Sequence, residues 1–159
     1  MAASDSNNPP QDEARLTQMM QRWAEGKATL RDVRGYTDDE LYAIAKTAYF
    51  FFYQGRIAEA RTLFQGLYAI NPADAYFAKA LGVVEMAAGN PQGALAAYDV
   101  ALKLDARDAQ AYVGRAEVRL SLGQKAQALE DLRRISSLVD AEDPLATKAA
   151  AMVTALTQR

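Results

Sequence analysis

Gln54-Gly55-Arg56-Ile57-Ala58-Glu59-Ala60, residues 54–60, is the stretch whose reading decides the fold. Gly55 stands five residues before Ala60. The same pair returns as Gly89 and Ala94, and again as Gly123 and Ala128, each time 34 residues further on. Other positions keep the same step. Phe64, Tyr98 and Leu132 share one register, and Leu67, Ala101 and Ile135 another. Ala48, Gly82 and Ala116 form a column of small residues, and Asp74, Asp108 and Glu142 a column of acids. Self-similarity at a fixed period marks a repeat architecture, in which each unit cannot bury its apolar face alone and must stack on its neighbours.

A period of 34 with small residues in these slots is the tetratricopeptide pattern. The expected fold class is all-α: a superhelix of three helical hairpins, 41–74, 75–108 and 109–142, within a repeat region spanning 36–142. The glycine of each pair belongs in the turn between two helices, where a positive φ is needed. Ala48, Gly82 and Ala116 let the first helix approach the second closely, and Ala60, Ala94 and Ala128 do the same from the other side. Phe64, Tyr98 and Leu132 fill the space between neighbouring hairpins. Only the first repeat keeps a proline near its end, Pro72; Ala106 and Asp140 stand in its place later.

The flanks follow from local pattern. Residues 1–10 are small, polar and proline-ended, and read as a mobile tail too polar to offset its ordering entropy. An N-terminal helical arm is expected over 11–35. Within it, Leu16, Met19, Met20 and Trp23 fall on one face of a helix at roughly 11–25 that Gly26 ends. A short stretch then runs through Leu30 and Val33 to Gly35. Thr37-Asp38-Asp39-Glu40 precedes an apolar run and reads as a capping box that starts the first repeat helix. Asp143-Pro144 opens a last helix, 144–157, within a capping segment 143–159. Its stripe of Leu145, Ala149, Met152, Val153 and Leu156 is suited to cover the open core face of the final repeat.

Composition narrows function. Half of the 159 residues are hydrophobic and 24% are charged, the balance of a folded soluble chain. Histidine and cysteine are absent. That removes the usual metal ligands, a thiol nucleophile, a histidine base and any disulfide. Eighteen Lys and Arg against twenty Asp and Glu give a net charge of −2, with no bias toward nucleic acid. No apolar stretch approaches the roughly 18 residues of a membrane span, so no direct membrane insertion is expected. The opening residues Met1 to Asp5 lack the basic and apolar regions of a signal peptide, which places the expected compartment in the cytoplasm. No phosphate loop, dinucleotide fingerprint or metal-ligand spacing occurs. The expectation is a chain that is not an enzyme and uses no cofactor.

In stacked hairpins of this kind the first helices line a concave surface, with positions 2, 5, 9 and 12 pointing inward and 6 and 13 at the margins. The first repeat puts Tyr42, Ala45, Tyr49 and Phe52 there, flanked by Lys46 and Tyr53. The second puts Tyr76, Lys79, Val83 and Met86, and the third Gln110, Val113, Glu117 and Leu120 with Gly114 beside them. This candidate partner-peptide groove is apolar and aromatic. Residues 49–53 read Tyr-Phe-Phe-Phe-Tyr, which admits two readings. All five rings belong to the core, or Phe51 buries against its own hairpin while Tyr49, Phe52 and Tyr53 face a partner, as a large exposed apolar surface usually does. A two-carboxylate clamp for acidic C-terminal peptides needs Lys, Asn and Arg at slots that hold Ala45, Tyr49, Ala80, Gln110 and Gly114, so that use is not expected. Glu117 and the pair Glu130-Asp131 are carboxylates that could do acid–base work; the plainer reading has Glu117 ordering the groove and Glu130-Asp131 solvated.

The run from Gly26 to Leu41 (Gly-Lys-Ala-Thr-Leu-Arg-Asp-Val-Arg-Gly-Tyr-Thr-Asp-Asp-Glu-Leu) leads into Tyr49 and Gln54-Gly55-Arg56. With Ala60, Phe64, Leu67, Leu81-Gly82, Gly89, Ala94, Tyr98, Leu104-Asp105, Ala116-Glu117 and Leu122-Gly123, it resembles the class II chaperones of bacterial type III secretion over residues 16–140. The resemblance implies a bacterial cytoplasmic chaperone that keeps hydrophobic translocator proteins soluble and apart before export. It implies that an extended segment near the translocator's N-terminus is held in the concave groove. Tyr49 and Phe52 match groove aromatics of that family. Ala45 departs from a slot that is commonly aromatic, and Gly114-Arg115-Ala116-Glu117-Val118 replaces the family's more usual His-Ala-Ala-Glu-Cys. The alternative is a generic tetratricopeptide adaptor in envelope or secretion-system assembly.

Two uses are open for the arm. Leu16, Met19, Met20 and Trp23 cap the first repeat, or they form the interface of the homodimer that the resemblance implies. Deleting residues 1–26 separates them. A smaller assembly by light scattering is the expected outcome for a dimer interface, and an unchanged mass rejects it.

Overall fold

The computed structural model of the protein describes residues 14–15, 17–18, 21–22, 24–25 and 27–158. The expectations placed on residues 1–10 and on Leu16, Met19, Met20, Trp23 and Gly26 lie outside the described residues. Among the described residues, all regular secondary structure is helical. Residues 14, 15, 17, 18, 21, 22 and 24 are helical, in the region expected to carry the arm.

Eight further helices follow: α1 (Leu30–Arg34), α2 (Asp38–Tyr53), α3 (Ile57–Ile70), α4 (Ala75–Ala87), α5 (Pro91–Leu104), α6 (Ala109–Ser121), α7 (Lys125–Ile135) and α8 (Pro144–Thr157). The helix α1 was read from sequence only as a short stretch. It carries its own capping box, in which Thr29 Oγ1 accepts from the Asp32 N–H at 3.4 Å and Asp32 Oδ2 accepts from the Thr29 N–H at 2.8 Å. The same device starts α2, where the Glu40 N–H donates to Thr37 Oγ1 at 3.3 Å and the Thr37 N–H donates to Glu40 Oε2 at 2.9 Å. Asp74, Asp108 and Asp143 accept from the first turns of α4, α6 and α8 and so satisfy amide groups that have no partner within the helix. The acid column therefore caps helices, displaced by one residue at the last of them.

Gly55, Gly89 and Gly123 sit in the turns after α2, α4 and α6, each with φ between 74° and 77°. A residue with a Cβ is strained in that conformation, which is why the period is punctuated by glycine. Each helix from α2 onward packs on the next in chain order. The aligned columns Ala60, Ala94, Ala128 and Phe64, Leu67, Leu132, Ile135 are sealed. Each large side chain so buried contributes roughly 1.5–3 kcal/mol. The core divides in two. One cluster joins α2, α3 and α4 around Leu41, Phe64, Leu67 and Phe77; the other joins α5 to α8 around Tyr98, Val118, Leu132 and Ile135. Ala149 and the stripe of Leu145, Met152, Val153 and Leu156 lay α8 against that second cluster, as a terminal cap requires.

The outer side carries two polar knots. Glu85 accepts from Arg61 Nε at 2.9 Å, Gln65 Nε2 at 3.0 Å and Asn90 Nδ2 at 2.8 Å, tying α3 to α4 and to the turn before α5. Burial works to raise its carboxyl, but Arg61, Asn90 and Gln65 outweigh that and hold it below the ordinary carboxylate range. Asp131 corrects the reading of Glu130-Asp131 as solvated. Its side chain is 3% exposed, because Arg115 and Arg119 stand one turn apart on α6 and converge on it. Arg115 donates from Nε at 3.0 Å and Nη2 at 2.7 Å, and Arg119 from Nη1 at 2.8 Å. Arg115 Nη1 also reaches Asp99 at 2.8 Å. Removing one member of a buried pair strands the others without a counter-charge. Asp131→Ala should therefore lower unfolding stability by roughly 2–4 kcal/mol in urea titration; a loss under about 1 kcal/mol would contradict the knot's role.

Candidate functional site

The face shared by α2, α4 and α6 is built by helices whose outer stripes are too apolar for solvent alone. Tyr42 and Tyr76 lie 5.3 Å apart between ring centroids, Tyr49 and Tyr76 6.2 Å, Tyr49 and Tyr53 6.2 Å, and Phe52 and Tyr53 5.6 Å. These rings run from one helix to the next as a continuous aromatic sheet. The reading in which all five residues of 49–53 are core does not hold. Tyr53 is 81% and Phe50 59% exposed, while Tyr49, Phe51 and Phe52 are half-buried. Phe51 packs against the first core cluster with the Arg56 guanidinium 4.2 Å over its ring, as its expected inward role requires. Tyr49 meets Phe64 edge-on at 4.9 Å, so its ring is both the roof of the core and part of the groove surface.

Beyond this aromatic end the surface turns aliphatic and small. Val83, Met86 and Leu120 are half-buried beside the second cluster. Two expected groove residues need correcting. Ala45 and Val113 are sealed in the core and offer no surface of their own. Position 5 of the helix falls at the inner edge of an apolar stripe wider than 100°, and a small or branched residue there is covered by its neighbours. Lys46, Gln110 and Glu117 are exposed.

Two of the charges here, Lys79 and Glu117, are already paired. Lys79 Nζ lies 2.6 Å from Asp108 Oδ2 and 3.3 Å from Gln110 Oε1, and Lys148 Nζ on α8 lies 2.7 Å from Glu117 Oε1. Tyr42 donates to Asp74 Oδ2 at 2.8 Å, a partner the spacing of 32 residues gave no reason to anticipate. That hydrogen bond, then burial, pushes the Tyr42 phenol up to about 12. Burial first, then the neighbouring Tyr76 and Tyr53, pushes Tyr49 up as well. Among the described residues no cluster of acids could hold a metal ion, and no helix is long and apolar enough to cross a membrane. The surface is equipped to grip apolar side chains and to present few net charges.

These phenols make the fold sensitive to alkali. A raised phenol pKa contributes stability that is complete below the free value near 10 and is lost as pH climbs through the folded value. The melting temperature should fall between about pH 10 and pH 12, and the double variant Tyr42→Phe/Tyr49→Phe should flatten that fall. An identical slope in parent and variant would show that these hydroxyls do not govern it.

Comparison with known proteins places this geometry. The peptide-bound translocator chaperone SycD of Yersinia enterocolitica, solved with a peptide of the translocator YopD, is 25% identical, with a TM-score of 0.70 over 76% of this chain and 94% of that one. PcrH of Pseudomonas aeruginosa, in complex with the chaperone-binding region of PopD, is also 25% identical, with a TM-score of 0.71 over 77% and 95%. A type III secretion complex from Aeromonas hydrophila is 23% identical and shares the fold, with a TM-score of 0.78 over 86% and 93%. No curated protein sequence matches the chain. The tetratricopeptide repeat family matches residues 42–109 and 79–144, and this chain belongs to it.

Proposed function

We propose that this chain is a cytoplasmic, non-enzymatic chaperone that binds hydrophobic type III secretion translocators through an extended segment laid in the groove, and keeps them soluble and apart before export. The observation that carries the reading is the unbroken aromatic surface from Tyr42 and Tyr76 to Tyr53, exposed on a chain of net charge −2. Support comes from the likeness to SycD and PcrH across nearly their whole length, since both are solved holding a translocator segment. The partner is a translocator protein, and the chaperone itself works as a homodimer.

In this reading Tyr42, Lys46, Tyr49, Phe52, Tyr53, Tyr76, Lys79, Val83, Met86, Gly114, Glu117 and Leu120 form the groove, with Ala45 and Val113 beneath it. Two or three anchors, at roughly 1.5–3 kcal/mol each, offset part of the cost of association. An isolated segment should bind at micromolar strength, about −8 kcal/mol. A generic adaptor would use the same groove, but it would not rescue a client that aggregates alone. Co-expression with a translocator tests that difference.

Tyr49→Ala and Phe52→Ala should each weaken binding of a translocator segment about tenfold, as truncation of a central aromatic anchor does, while circular dichroism stays helical. Fluorescence titration reads the change. Parent-like affinity in both variants would remove the groove from the mechanism.

A further inference from the structure

Asp74, Asp108 and Asp143 cap α4, α6 and α8, which puts the three helices in one register counted from the cap. The seventh, eighth and eleventh residues are Leu81, Gly82 and Glu85 in α4, and Arg115, Ala116 and Arg119 in α6. Each set meets the second helix of its hairpin. Gly82 is sealed, with the Tyr98 ring of α5 2.9 Å from where its Cβ would stand. Ala116 is sealed too, and Arg115 and Arg119 hold Asp131 of α7. In α8 the same counts give Ala150, Ala151 and Thr154, and all three are exposed. Toward the repeats α8 is a cap. On its other side it has the surface of a first helix with no hairpin partner among the described residues.

A crevice marks the empty seat. Where α3, α4 and α5 meet, Tyr68, Leu81 and Glu85 line a gap that Gly93, Ala97 and Val100 of α5 close from the third side. The counterparts of Tyr68, Leu81 and Glu85 in the last two helices are Ser136, Ala150 and Thr154. They line a crevice of about 330 Å³ between α7 and α8. A second crevice, of about 470 Å³, adjoins it through Ser136, Ala146 and Ala150. Two walls of the three-helix junction are present and the third is not. The alanines on the α8 wall let another backbone come within the 8–10 Å typical of packed helices.

Charge defines what fits. One level earlier, Arg115 joins Asp99 of α5 to Asp131 of α7. In the last level Ala150 takes the count of Arg115, and Arg133 takes the register of Asp99. The cation has moved to the wall that α7 contributes. Arg133 lines the crevice and is exposed, and its guanidinium has no ion-pair partner among the described residues. No carboxylate lines either crevice. The position left vacant opposite Arg133 is the one that Asp131 fills a level earlier. A guest helix with an acid there, and with apolar residues in the places of Ala128, Leu132 and Ile135, suits the seat in shape and in sign. The α8 of a second copy does not, because the one charged residue in 144–157 is Lys148.

We propose that the outer face of α8, with Arg133, is the docking surface for an amphipathic helix of another protein that carries an acid among its apolar residues, seated as the second helix of a fourth hairpin. The surface shares no residue with the concave groove, so the proposal goes beyond the chaperone reading and stands without it. The probe is a synthetic peptide of residues 124–137 of this chain, the segment that fills the same seat on α6, titrated into the isotope-labelled full chain by NMR. The amide signals of Ser136, Ala146, Ala150 and Thr154 should shift, and those of Tyr49, Val83 and Leu120 should not. Arg133→Glu in the chain and Asp131→Lys in the peptide should each weaken binding about three- to tenfold, and the two together should restore it. Ala150→Glu should abolish the shifts. Both chain positions are exposed, so both variants should melt with the parent. Shifts confined to the groove, or none at millimolar peptide, overturn the docking surface. Affinity that ignores the charge swap overturns the acidic character of the guest. An assembly that Ala150→Glu breaks up, read by light scattering, overturns the outside partner, since the occupant is then a second copy.

Discussion

Close approach between helices is the constraint on which the rest depends. Two helices can bury a shared face only where one of them offers little side chain, and the period of 34 places Ala48, Gly82 and Ala116 at that contact in every hairpin. Gly82 faces the Tyr98 ring of the neighbouring helix, a matched pair of volumes as much as a pattern of hydrophobicity. Tyr98 shows how tight the match is. Its ring fills the space that two glycines leave, and no residue larger than glycine fits at either without the ring moving.

The aromatic surface is a by-product of the same arithmetic. A first helix of a hairpin must face its own partner, the next hairpin and the hollow side at once. The run at 49–53 supplies rings in all three directions. Phe51 turns to the core, Tyr49 roofs it, and Tyr53 stands almost wholly in solvent. A surface so exposed, with Lys79 already neutralised by Asp108 and Glu117 by Lys148, is attractive to apolar guests.

The periodic parts of this architecture were legible in the sequence because each column repeats a local requirement: glycine for the turn, a small residue for contact, an acid for the cap. The cap of α2 at Thr37 and the whole of α8 at 144–157 were readable for the same reason. What was not legible was whatever joins residues across registers. Asp131 looked solvated because its two arginines lie on a different helix, although Arg115 and Arg119, four residues apart, were the signal. The helix α1 lies inside the expected arm 11–35 but was given no start of its own, although Thr29 and Asp32 repeat the spacing of Thr37 and Glu40. Ala45 and Val113 were placed on the groove by counting, and counting alone cannot tell the edge of a stripe from its centre. The fit of the Tyr98 ring becomes visible only when Gly82 and Gly114 are seen on both sides of it.

The divided core has a mechanical meaning. The seam between its halves runs along α4, whose Phe77 and Val84 belong to one cluster while its Val83 and Met86 pack on the other, with the Tyr98 ring of α5 against Gly82 as the rivet across it. Each half has its own apolar interior, and α4 contributes side chains to both. One helix shared by both interiors makes the trough a single continuous wall, so a guest laid along it meets one surface and not two separate halves.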